Sequence, residues 1–122
     1  MAQAILSPML DDRPGHFCGD RILVELTEIV RSTLRAADRC YRFGGDEFVL
    51  LLPGTDADGL RPALDKLVNK IRAELESPEG PMTVSIGATD LGPDDTPNSW
   101  LARADQALYR AKQSGRDRVE IL

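Results

Sequence analysis

Two glycines, two carboxylates and an apolar run stand side by side in Gly44-Gly45-Asp46-Glu47-Phe48-Val49-Leu50-Leu51-Leu52, closed by Pro53. Carboxylate oxygens are hard ligands for Mg²⁺, an ion that keeps some waters and bridges protein acids to substrate phosphates. Glycine amides beside them can donate to phosphate oxygens, and backbone without a Cβ lets a ligand come close. The stretch therefore suits metal-assisted phosphate chemistry, with Asp46 and Glu47 as its acids. Spacing alone is equally consistent with a plain hairpin whose turn carries two solvated acids, since acids are common in turns. Three further charged groups stand at element ends. Asp20 precedes a helical face and is a good N-cap. Arg35-Ala36-Ala37-Asp38 reads as solvated charge at a helix end, and Lys112 and Arg116 suit the C-terminal end of a later helix.

The elements that must hold these groups follow from apolar periodicity. Residues 48–52 have the length and boundary of a buried strand, and Arg39-Cys40-Tyr41-Arg42-Phe43 alternates like a half-buried one. The Gly-Gly pair between them suits a tight hairpin turn. Apolar residues at 22, 23, 26, 29, 30 and 34 predict a helix from Asp20 to about Ala36 or Ala37. Leu60, Leu64, Leu67, Val68, Ile71 and Leu75 predict a second helix near 57–76, with Pro62 tolerated only in its first turn. Residues 82–89 alternate as a strand. A third helix, near 98–114, carries Leu101, Ala104, Ala107, Leu108 and Ala111, with Gly115 as its C-cap. Residues 118–122 suit a last short strand. Residues 1–10, whose apolar cluster is Ala4-Ile5-Leu6, are expected as a brief edge strand or a disordered lead. The order (β)αββαβαβ is that of an α+β sheet flanked by helices.

The 122 residues suit one domain with a single core. A net charge of −5 argues against nonspecific nucleic-acid binding or an anionic membrane surface as the main partner. No stretch of about 18 apolar residues predicts a membrane span. Residues 1–10 lack the basic start and long apolar core of a secretory signal, so a cytoplasmic protein is expected. Cys18 and Cys40 show no metal spacing and read as reduced packing residues. The single His16 argues against zinc.

Gly44-Gly45-Asp46-Glu47-Phe48, entered by Arg42-Phe43 and left by Val49-Leu50-Leu51-Leu52-Pro53, resembles the signature of the GGDEF family of diguanylate cyclases. Ser85-Ile86-Gly87-Ala88 resembles another family block, as does the run 104–112 continuing into Gly115-Arg116-Asp117-Arg118-Val119. The resemblance covers about Asp11 to Leu122 and implies a palm-like sheet related to nucleotide cyclases and polymerases. It also implies condensation of two GTP into cyclic di-GMP with release of pyrophosphate. Two domains would face one another across a two-fold axis, so catalysis would need a homodimer and Mg²⁺ or Mn²⁺. By resemblance Asp46 is a metal ligand and can help deprotonate the attacking hydroxyl. Glu47 is the second acid of the turn, and Gly44 and Gly45 lie against the nucleotide. Asp20 matches an aspartate that hydrogen-bonds guanine, and Asp11 stands where the family has an asparagine facing guanine. Lys112 and Arg116 match residues that reach the triphosphate. Arg35 and Asp38 match the RxxD site at which the family binds its product as a feedback inhibitor.

The family's first strand carries Asp-x-Asp-x-Phe-Lys. Counting back from Gly15-His16, the metal-binding aspartate falls at Gln3, the second aspartate at Ile5, and the last two residues at Ser7 and Pro8. A neutral amide oxygen is a far poorer Mg²⁺ ligand than a carboxylate, so low turnover is expected. Two other readings stay open: a degenerate domain that binds cyclic di-GMP as a receptor, and a module that only dimerises or docks.

Overall fold

The apolar residues of residues 2–10 fall on two sides of an extended chain, and the sheet uses both. A computed structural model describes residues 1–10, 20–43, 47–75 and 82–122. Its elements are β1 (Ala2–Leu10), α1 (Asp20–Thr33), β2 (Arg39–Arg42), β3 (Phe48–Leu52), α2 (Ala57–Glu74), β4 (Met82–Asp90), α3 (Pro97–Gln113) and β5 (Val119–Ile121). The five strands lie in the order β2-β3-β1-β4-β5. All neighbours are antiparallel except β4 and β5.

Ala2, Ala4 and Leu6 of β1 join Leu50, Leu52, Val84 and Ile86 in the core beneath α1 and α2. On the opposite face Ile5 and Val49 pack with Ala104 and Leu108 of α3. Thus residues 1–10 are neither an edge strand nor a disordered lead. They form the centre of the sheet, because β1 is apolar on both faces and a strand buried on both faces need not alternate.

Helix α1 also departs from expectation, ending at Thr33 rather than at Ala36 or Ala37. Leu34 N–H makes the last helical bond, to Val30 O at 3.0 Å. Asp38 then draws the chain into a turn: its N–H donates to Arg35 O, and its carboxylate accepts from the Arg35 N–H at 2.8 Å. A local side-chain acceptor has outcompeted helix propagation through two alanines. Helix α2 begins at its N-cap Asp56, which accepts from Gly59 N–H. Pro62 therefore sits beyond the first turn, at an exposed position where the helix forgoes one backbone donor.

Helix α3 lies directly on β4. A Cβ built on Gly87 would be 2.0 Å from Leu108 N and 2.5 Å from Ala104 O. Thr96 and Ser99 cap the helix reciprocally, each side-chain oxygen accepting from the other's backbone N–H. At the far end Arg116 N–H donates to Ala111 O at 2.9 Å, closing a Schellman-type cap.

Candidate functional site

The hairpin between β2 and β3 pairs Arg42 with Phe48 and is closed by Phe43 N–H donating to Glu47 O at 2.7 Å. Gly44, Gly45 and Asp46 lie outside the described residues, as does Asp11. Glu47 is about one-third exposed, and its Oε2 lies 3.7 Å from Lys112 Nζ at the C-terminal end of α3. The structure thus brings together an acid of the hairpin and a cation from the opposite end of the sequence. Arg116 follows on the loop after α3, where it and Asp117 have φ of 61° and 49°. Non-glycine residues seldom adopt that region, and where they do, the surroundings must hold them there. Arg116 Nε is buried with no partner among the described residues. Asp20 is the first residue of α1.

A cavity of about 510 Å³ opens between α1 and β2, lined by residues that include Leu23, Val24, Thr27, Arg42 and Phe48. It begins one helical turn from Asp20 and reaches both strands of the hairpin. Arg42 and Phe48 belong to the hairpin motif, whereas Leu23, Val24 and Thr27 look like ordinary helix residues in the sequence.

The first strand meets the hairpin differently from the count. Gln3 pairs with Leu51 and Thr89 in mid-sheet, is 7% exposed, and its Oε1 has no partner among the described residues. The register ends at Leu6 opposite Phe48, so one step further Ser7 comes level with Glu47. The strand level nearest the hairpin is therefore four residues beyond Gln3. An even offset leaves each side chain on the same face, which is why the apolar pattern could not reveal it. No acid occurs in residues 2–10. Among the described residues no cluster of three metal-ligating side chains forms. The described carboxylate that fits a hard cation at the hairpin is Glu47, partly exposed beside the position of Asp46.

Arg35 and Asp38 are bound to one another rather than separately solvated. Arg35 Nε donates to Asp38 Oδ2 at 3.2 Å and Nη2 to Oδ1 at 2.9 Å. The arginine side chain is 56% exposed and the aspartate 4%. The hydrogen bond to Asp38, and then its charge, raise the Arg35 pKa above its ordinary value. Both residues line a cavity of about 340 Å³ between the end of α1 and the start of α2, with Thr55, Pro62, Lys66 and Leu67. Lys66 adds a second cation there. In the sequence it is one of many charges on the exposed face of a helix.

Comparisons with known proteins agree with this fold. The model of the family described as diguanylate cyclase, GGDEF domain, matches residues 9–118. This chain belongs to the GGDEF family. It is 40% identical over 115 residues to diguanylate cyclase DgcP of Pseudomonas aeruginosa, covering 92% of this chain and 17% of that protein. It is 37% identical over 116 residues to the probable diguanylate cyclase DgcC of Escherichia coli, covering 92% and 31%. The chain thus spans about one-sixth to one-third of the length of these relatives. Among solved structures it is similar to diguanylate cyclase SiaD of Pseudomonas aeruginosa in complex with its activator SiaC. The TM-score is 0.85 at 35% identity, over 99% of this chain and 49% of that one. The coiled coil and GGDEF domain of DgcB from Caulobacter crescentus, in complex with c-di-GMP, gives a TM-score of 0.85 at 25% identity, over 99% and 69%.

Proposed function

We propose that this chain is a diguanylate cyclase domain that condenses two GTP into cyclic di-GMP. The observation that carries this reading is Lys112 at 3.7 Å from Glu47, an acid and a cation converging on a glycine-rich hairpin. In each half of the reaction a 3′-hydroxyl oxygen bonds to the α-phosphorus of the other nucleotide, and the bond to the departing pyrophosphate breaks. Two such steps close the ring, so two domains must face one another. Lys112 and Arg116 would take the triphosphate, and the unpartnered Arg116 Nε is a donor suited to an oxyanion. Asp20 and Asp11 would address the guanine edge, with the base in the cavity beside Leu23 and Thr27. Asp46 and Glu47 would hold Mg²⁺ or Mn²⁺, whose chemistry here is to neutralise charge on the phosphates. The domain would work in the cytoplasm, where GTP is available.

The test is purified protein with GTP and Mg²⁺ or Mn²⁺, products resolved by chromatography. Cyclic di-GMP should form in the wild type and be lost in Asp46→Ala and in chelator. With no acid on β1 to help, turnover should stay below about 1 s⁻¹, the low end for typical enzymes. No cyclic di-GMP with either metal would remove the cyclase reading.

A second role is favoured by the Arg35–Asp38 pair. Its cations and apolar floor suit a ligand with phosphates and flat bases, and feedback binding of cyclic di-GMP there fits both an active cyclase and a degenerate receptor.

A further inference from the structure

Arg35 is held by more than its motif partner. Its Nη2 also donates to Pro53 O at 2.6 Å and to Thr55 Oγ1 at 2.8 Å. These acceptors come from another segment, the turn that leaves β3. Thr55 N–H donates to Leu52 O at 3.3 Å, with Pro53 and Gly54 (φ +75°) between them. Proline second and a positive-φ glycine third is the signature of a type II turn. The turn therefore fixes Pro53 O and the Thr55 hydroxyl together. With Asp38 along one edge and the turn against Nη2, the guanidinium is pinned from two sides. Nη1 has no partner among the described residues, and its two hydrogens are left for a ligand.

We propose that Thr55 is a positioning residue for the product site: it sets the plane of Arg35 so that the Nη1 edge meets the phosphate or guanine oxygen of a guanine dinucleotide. The inference rests on the reading of Arg35 and Asp38 as a product site. A long flexible side chain fixed beforehand loses less entropy on binding. A free Arg35 would instead turn its fork toward solvent and be ordered only by the ligand. Thr55 touches Arg35, and its effect on the ligand passes through that contact.

The experiment is calorimetric titration of cyclic di-GMP into wild type, Thr55→Val, Thr55→Ser, Thr55→Ala and Arg35→Ala, with thermal melts of each. Thr55→Val keeps the shape and removes the acceptor, whereas Thr55→Ser keeps the hydroxyl. We expect Thr55→Val and Thr55→Ala to weaken binding about three- to tenfold, the range for one ordinary hydrogen bond. Thr55→Ser should bind like wild type, and Arg35→Ala should lose binding further still. Melting temperatures should not track these affinities. Wild-type affinity in Thr55→Val, with binding lost in Arg35→Ala, would overturn the role of Thr55 and leave the product site standing. Equal weakening in Val and Ser would do the same, by reducing Thr55 to a structural part of the turn. No binding in wild type would remove the product site and this inference together.

Discussion

Asp95 shows how a single residue can tie a strand to the helix that follows it. Its side chain is 8% exposed and accepts from Gly92 N–H at 2.8 Å, from Ser99 Oγ at 2.9 Å and from Arg103 Nη1. Arg103 also donates to Asp90 O, so the cluster clasps the end of β4 to the first turns of α3. The Gly92 N–H above all, with Ser99 and the Arg103 charge, holds the Asp95 carboxyl below its ordinary 3.8, against the opposing effect of burial. A depressed folded-state pKa gives stability that is complete above the unfolded value and lost as pH falls through the folded one. Melting of the wild type should therefore be steady near neutrality and fall below about pH 4. Asp95→Asn should melt lower at pH 7 and show a flatter profile in acid. Parallel profiles for the two proteins would show that Asp95 contributes nothing to acid sensitivity.

Helices and strands are legible in the sequence to different depths. Helices α2 and α3 fall at 57–74 and 97–113, close to the expected spans, since leucines and alanines at helical spacing need only one apolar partner face. β1 is hard to see in the sequence because Ala2 and Ala4 carry little strand signal, and its central place depends on pairing with β3 and β4, far along the chain. The overshoot of α1 has a different origin, a turn driven by the Asp38 carboxylate against good helix formers. The packing of α3 on Gly87 makes a sharp prediction about elements. In Gly87→Ala the new methyl would meet backbone, not a movable side-chain tip. Helix α3 must shift as a body, at a cost of about 3 kcal/mol or more, or a fall in Tm on the order of 10 °C. Since α3 carries Lys112, cyclase activity should fall below the level that lost folded protein explains. Differential scanning calorimetry beside the chromatographic assay reads both effects. A Gly87→Ala protein with wild-type Tm would mean that α3 does not lie this close.

At the scale of the molecule, the proposed reaction needs two copies, so activity per chain should rise with protein concentration until dimers saturate. A specific activity constant over a hundredfold dilution, measured with sedimentation of the same samples, would contradict a dimer assembled for catalysis. The candidate site was legible where residues are contiguous, as in the hairpin motif. Glu47 and Lys112, far apart in the chain, are joined in the sequence by family resemblance alone, whereas Lys66 in the cavity of Arg35 and the Thr55 hydroxyl look like ordinary exposed groups in one dimension. One feature joins the two proposed nucleotide sites. β3 begins directly after Glu47 and ends directly before Pro53, with Phe48, Leu50 and Leu52 locked into the core beneath α1 and α2. At about 3.3 Å per residue it is a ruler of roughly 20 Å between Glu47 and the Pro53 carbonyl that anchors Arg35. Losing or gaining one residue in it would turn the three core side chains to the wrong face. The spacing of the two proposed sites is therefore tied to the core: a single-residue insertion or deletion within β3 could not change it without turning core side chains toward the wrong face.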